Sequence, residues 1–114
     1  MRALAAVLGV LALLAPRLAA QEKKVVHVVA ERFFFAPSQI KVKQGALVEF
    51  RLRSEDTNHG FRISEAGINV VIPKRGKGEV KVLFHALKKG HYVFECSKPC
   101  GAGHNMMRGV LIVE

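Results

Sequence analysis

From about residue 25 to the C-terminus, apolar and polar residues alternate with a period of two, and this pattern limits the chain to β-structure. Ile40 and Val42 alternate with Lys41 and Lys43; Val48, Phe50 and Leu52 with Glu49, Arg51 and Arg53; Val80, Val82 and Phe84 with Lys81 and His85. Successive side chains of a strand point to opposite faces, so each run gives one face to a core and one to water. Val25–Ala30, Gly60–Ile63, Ile68–Ile72, His91–Glu95 and Gly109–Val113 are further short strand candidates. Turn residues fall between them, at Ala36-Pro37-Ser38, Gln44-Gly45, Ser54–Asn58, Pro73–Gly78 and Lys88–Gly90. No segment after residue 20 sustains a helical period. Seven or eight short strands at this spacing predict an antiparallel sandwich or barrel, in which loops distant in sequence meet at one end.

The N-terminus differs from the rest. Met1-Arg2 precedes an apolar run, Ala3–Ala15, and then Pro16-Arg17-Leu18-Ala19-Ala20. A basic start, a short apolar stretch and small residues before a polar sequence describe a secretory signal over residues 1–20. The run is about 13 residues, short of the roughly 20 needed to span a bilayer. Left uncleaved, it would attach the protein to a membrane through its N-terminus. Residues 21–114 then form one small domain in a periplasmic or other extracytoplasmic compartment. Loss of Arg2 and Arg17 takes the formal charge from +9 to +7. The cations are spread along the strands and alternate with apolar residues. That distribution describes a solvated sheet face and argues against a nucleic-acid site; the surplus charge favours docking to an anionic protein surface or anionic lipid.

The chemistry is concentrated near the C-terminus, in Cys96-Ser97-Lys98-Pro99-Cys100-Gly101-Ala102-Gly103-His104-Asn105-Met106-Met107. Both cysteines of the chain lie here, with an imidazole and a thioether, and these soft ligands select copper over hard cations. Partners only four positions apart make a small ring for a structural disulfide, and the spacing is neither Cys-x-x-Cys nor Cys-x-x-Cys-His. The segment runs from the end of the strand His91–Glu95 to the strand Gly109–Val113, with Gly101 and Gly103 allowing a tight curl. Asp56-Thr57-Asn58-His59-Gly60, at the junction of two other strands, offers a further nitrogen ligand.

The N-terminal half, Phe33 through Ile40, Val42, Gly45, Val48 and Phe50 followed by Asp56-x-x-His59, resembles the cupredoxin pattern. The C-terminal loop resembles the binuclear CuA site of cytochrome c oxidase subunit II, whose Cys-x-x-x-Cys-Gly-x-x-His-x-x-Met it matches at every fixed position. The resemblance implies an all-β cupredoxin Greek-key sandwich or barrel over residues 21–114. It implies two copper ions held by six residues. Cys96 and Cys100 would bridge them as thiolates, and His59 and His104 would be the terminal nitrogen ligands. Met107 and the backbone carbonyl of Lys98 would be weak ligands, one per copper. It further implies one-electron relay without catalysis in this domain, with a cytochrome c or a haem-copper oxidase subunit as partner. The residues alone leave a copper chaperone or storage protein open. They also leave open a mononuclear blue-copper site built from His59, Cys100, His104 and Met107. The spacing of the resembled family implies Met107 over Met106, which is expected to pack against the loop. Asp56 is expected to brace His59. His27, His85 and His91 are expected on or near the surface, and Phe33–Phe35, Phe50, Phe61, Phe84 and Phe94 in the core.

Overall fold

The computed structural model describes residues 22–114, with Ala3 and Gly9 as isolated positions before them. The remainder of the expected leader lies outside the described residues. All eight segments read as strands form strands. In chain order they are β1 Lys23–Glu31, β3 Gln39–Val42, β4 Leu47–Ser54, β5 His59–Ile63, β6 Ile68–Ile72, β7 Val80–His85, β8 Gly90–Glu95 and β9 Arg108–Val113. A ninth, β2 Phe34–Ala36, occupies three residues just before Pro37 and is too short to show alternation. Helical geometry among the described residues is confined to two 3₁₀ turns, Ser64–Ala66 and His104–Met106.

The strands make two sheets, ordered β2-β1-β4-β7 and β3-β9-β8-β5-β6. The expected all-β sandwich is present, but its strand pairs are not all antiparallel. β1 runs parallel to β4, from Lys23 opposite Leu47 to Ala30 opposite Ser54, and β3 runs parallel to β9. The cause is the crossover at β2–β3. The chain leaves the first sheet, enters the second at β3 and returns as β4 in the direction of β1. A hairpin cannot join parallel neighbours, so these pairs need such a detour.

Alternation becomes burial. Val26, Val28 and Ala30 of β1, Val48, Phe50 and Leu52 of β4, and Val82 and Phe84 of β7 supply one side of the core. Ile40, Val42, Phe61, Ile63, Ile72, Phe94, Leu111 and Val113 supply the other. Phe35, Phe61 and Phe94 form an aromatic cluster, with centroids 5.9 Å apart for Phe35–Phe61 and 5.3 Å for the other two pairs. Of the three adjacent phenylalanines only Phe35 is fully core; Phe34 is 48% exposed and Phe33 is half-buried.

At one end of the sandwich four connections meet: the β1–β2 turn, the β4–β5 loop, the β6–β7 turn and the β8–β9 loop. Arg75 N–H donates to the Asp56 carbonyl at 3.0 Å, and Lys74 N–H to Asn58 Oδ1 at 2.7 Å, which seats the β6–β7 turn on the β4–β5 loop. Arg32 ties the β1–β2 turn to the same loop and to the β8–β9 loop.

Candidate metal centre

Three rows of inward-facing side chains continue past their strand ends into this cluster of loops. On β5 the row is Ile63, Phe61, His59; on β8 it is Phe94 and then Cys96; on β9 it is Val113, Leu111, Gly109 and then Met107. Strand periodicity therefore delivers an imidazole, a thiol and a thioether to the rim of the core. Cys96 N–H donates to the Met107 carbonyl at 3.0 Å, extending the β8–β9 pairing by one step and setting those two residues opposite each other. Between them the loop is held by His104 N–H to the Gly101 carbonyl (3.2 Å), Met106 N–H to the Gly103 carbonyl (3.0 Å) and Met107 N–H to the His104 carbonyl (3.2 Å).

The six residues singled out in the sequence come together as a chain of close approaches. Cys96 Sγ lies 3.7 Å from Cys100 Sγ. His59 Nδ1 is 3.9 Å from Cys96 Sγ, and His104 Nδ1 is 3.7 Å from Cys100 Sγ. Met107 Sδ is 3.9 Å from Cys100 Sγ, and the Lys98 carbonyl oxygen is 3.1 Å from Cys96 Sγ. The ligand atoms of His59, Cys96 and Cys100 all fall within 4.8 Å of one another. Both thiols are free. Met107 is 1% exposed and Met106 80%, so Met107 faces the site while Met106 points into solvent instead of packing on the loop. His59 is completely buried, whereas His104 is half-exposed. His27, His85 and His91 are exposed on strands away from the cluster.

The surroundings fix the donors. With its proton on Nε2, His59 donates to Asp56 Oδ1 at 2.7 Å, which leaves the Nδ1 lone pair turned toward Cys96. The bracing role expected of Asp56 has this geometry. Burial works against ionised Asp56, but hydrogen bonds from Arg32 N–H, the His59 ring and Thr57 N–H outweigh it and hold the carboxyl below its usual range. Gly60 N–H donates to Cys96 Sγ at 3.4 Å. On the far side a cleft of about 220 Å³, lined by Arg62, Glu95, Cys96, His104, Asn105, Met107 and Arg108, opens to solvent.

Glycine serves the loop in two ways. Gly101 has φ +140°, a conformation that side-chain-bearing residues rarely adopt. Gly103 has an ordinary φ of −91°, and what matters there is space: a Cβ would collide with the ring of Phe33. Of the two glycines expected to curl the loop, only Gly101 uses backbone freedom. The contacts that Arg32 and Phe33 make with this loop have no local signature in the sequence.

The donor set suits a soft cation. Two buried thiols and a thioether, with neutral nitrogen and carbonyl donors, match copper and are poor partners for magnesium or calcium. Burial pushes the Cys100 thiol up to about 11, and the adjacent Cys96 thiol adds to the rise. Below that pH the metal-free thiol keeps its proton, while copper binds the thiolate, so loading must expel it. Adding Cu(I) to weakly buffered protein at pH 7 is expected to release at least one proton per chain. Apparent affinity should rise about tenfold per pH unit for each proton released. Potentiometric titration during loading measures this, and an absence of proton release would refute it.

A family model for the cupredoxin-like domain matches residues 3–113. Subunit 2 of the Thermus thermophilus cytochrome c oxidase is 38% identical over 91 residues, covering 78% of this chain and 64% of the relative. The chain thus spans a little under two thirds of that relative's length. A haem-copper terminal oxidase dimer solved by cryo-electron microscopy superposes with a TM-score of 0.76 at 27% identity, over 83% of this chain and 66% of that one. The periplasmic domain of subunit II of the Bradyrhizobium japonicum cytochrome oxidase superposes with a TM-score of 0.72. At 14% identity, over 80% of this chain and 83% of that domain, the latter likeness speaks for the fold alone.

Proposed function

The chain belongs to the cupredoxin-like family, and from that premise we propose that it is a one-electron carrier whose copper centre holds two ions, as in CuA. The observation that carries the reading is the 3.7 Å approach of two buried free thiols, each with an imidazole nitrogen within 3.9 Å. Cys96 and Cys100 would bridge the two ions, with His59 and His104 as terminal ligands and Met107 and the Lys98 carbonyl as weak ones. Copper bound there supplies a one-electron couple whose charge is shared between two nuclei.

The protein contributes rigidity and buries His59, Cys96, Cys100 and Met107. His59, Cys96 and Met107 lie at the ends of core rows, and His59 is further locked by Asp56. Ligands held this way change position little when charge is added or removed, which keeps the barrier to electron transfer low. The six donors leave no open position for a substrate, in contrast to catalytic metal sites. His104, the half-exposed donor beside the cleft, is the natural point of contact with a partner. A cytochrome c-type donor and a haem-copper oxidase subunit are the partners this reading assigns, in an extracytoplasmic compartment. Among the described residues no helix is long and apolar enough to cross a membrane.

Copper reconstitution is the test. The reading expects two coppers per chain and a paramagnetic spectrum of one unpaired electron spread over both nuclei. One copper with hyperfine splitting from a single nucleus would refute it.

The site end is basic. Lys98 and Arg108 are exposed beside the ligands, and Lys74 and Arg75 are exposed on the turn seated against the His59 loop. The acid nearest the cleft, Glu95, is already paired with Arg62 at 2.8 Å and lies 3.8 Å from Arg108. Electron transfer with an acidic cytochrome is expected to slow several-fold between about 0.01 and 0.15 M salt, because screening shortens the reach of these charges from ~30 to ~8 Å. Stopped-flow rates that do not vary with salt would refute steering.

A further inference from the structure

One residue outside the ligand set touches both halves of the site. Arg32 N–H, in the β1–β2 turn, donates to Asp56 Oδ2 at 2.9 Å. The other oxygen of that carboxylate accepts from the His59 ring at 2.7 Å. The Arg32 side chain turns the other way, and its Nε–H donates to the carbonyl of Cys100 at 2.8 Å, across 68 residues of sequence. The next residue, Phe33, lays its ring where a Cβ on Gly101 or Gly103 would be. The β4–β5 loop, whose Asp56 holds the His59 ring, and the β8–β9 loop, which carries His104, are therefore bridged by a turn that supplies no ligand.

We propose that Arg32 is a positioning residue for the copper centre. It clamps the β4–β5 loop to the β8–β9 loop and, through its fixed positive charge, raises the centre's reduction potential. The proposal rests on the functional reading above. The clamp follows from geometry: an arginine fork is planar and preorganised, so its hydrogen bond to a carbonyl fixes direction as well as distance. Arg32 takes no part in the ion pairs among the described residues, so its charge is not cancelled by a bonded carboxylate on the guanidinium. A cation held this close to the backbone of a bridging cysteine favours the state with one more electron.

Arg32→Gln and Arg32→Lys separate the two roles, and each is read in two ways. In metal-free protein, hydrogen exchange reports the clamp. The amides of His104, Met106 and Met107 are expected to exchange about tenfold faster in Arg32→Gln, the fold-change that loss of one ordinary hydrogen bond produces. Amides of the β1–β4–β7 ladder should keep their wild-type rates, which confirms that the fold is intact. In copper-loaded protein, voltammetry reports the charge. The potential should shift negative in Arg32→Gln and stay close to wild type in Arg32→Lys, which retains the charge without the fork. Loop amides exchanging at the wild-type rate in Arg32→Gln, or an unchanged potential, would overturn this proposal alone. A wild-type protein that lacks the shared-electron spectrum would overturn the functional reading and this proposal together.

Discussion

Replacing Cys96 with serine is expected to cut the copper content of loaded protein from two ions per chain to at most one and to abolish the shared-electron spectrum. Cys96 Sγ occupies the middle of the site, with His59 Nδ1 3.9 Å away, the Lys98 carbonyl 3.1 Å away and Cys100 Sγ 3.7 Å away. A serine hydroxyl is a hard donor that keeps its proton at neutral pH, and it cannot replace a bridging thiolate to Cu(I). The substitution also separates two arrangements of the same loop. A mononuclear site made from His59, Cys100, His104 and Met107 does not use Cys96 and would survive with one copper and its colour largely intact. Cys100→Ser should eliminate both arrangements, since Cys100 Sγ is the atom approached by both the His104 nitrogen and the Met107 sulfur. The apo forms should keep wild-type far-ultraviolet dichroism, because the exchange of sulfur for oxygen removes no strand contact. Metal analysis together with the paramagnetic spectrum decides the matter. A Cys96→Ser protein with two coppers and an unaltered spectrum would remove Cys96 from the site.

Much of this site is legible in the sequence because the strands' period of two carries the ligands with it. Residues 59, 61 and 63 share a face, as do 94 and 96, and 107, 111 and 113, so the apolar members predict the direction of the polar ones. What period two does not encode is which strand lies beside which. Lys23–Glu31 alternates in the same way whether its neighbour is parallel or antiparallel, and the parallel β1–β4 and β3–β9 pairs follow from a crossover that only the assembled sheets reveal. The three adjacent phenylalanines show a related limit. Composition places all three inside, yet an alternating backbone turns Phe34 outward, and Phe33, in the turn before the strand, is half-buried between the edge of the core and the β8–β9 loop. Arg32 was invisible for a different reason. Its value comes from a hydrogen bond to a carbonyl 68 residues away, and a carbonyl has no residue type. The exposure of Met106 lies between these cases: the family spacing favours Met107 over it, but the 3₁₀ turn that rotates Met106 into solvent has no sequence signature.

Gly60→Ala is expected to damage the copper centre severely, and more than Gly103→Ala does. Gly60 sits between His59 and the core residue Phe61, and its own N–H donates to Cys96 Sγ. A Cβ there would meet the backbone nitrogens of Ser97 and Lys98, each at 2.7 Å, as well as the Ser97 hydroxyl. Side chains can rotate away from a new methyl, but backbone nitrogens within a closed hairpin cannot. The β8–β9 loop would have to move off β5, taking Cys96 away from His59 and the Lys98 carbonyl away from Cys96. Overpacking of this kind costs about 1–3 kcal/mol, or roughly 5–20 °C of Tm for a domain of this size. The effect on copper should be larger in proportion, because the displacement falls between two ligands: a loss of at least about tenfold in affinity, with an altered spectrum in whatever remains bound. A comparison within the same loop tests the mechanism. At Gly103 the obstacle to a Cβ is the Phe33 side chain, so the damage from Gly103→Ala should be largely relieved by adding Phe33→Ala. At Gly60 the obstacle is main chain, so adding Ser97→Ala, which removes only the hydroxyl, should relieve little. A Gly60→Ala protein with wild-type Tm and copper spectrum would show that the loop can yield there and that the distance between β5 and the β8–β9 loop does not control the site.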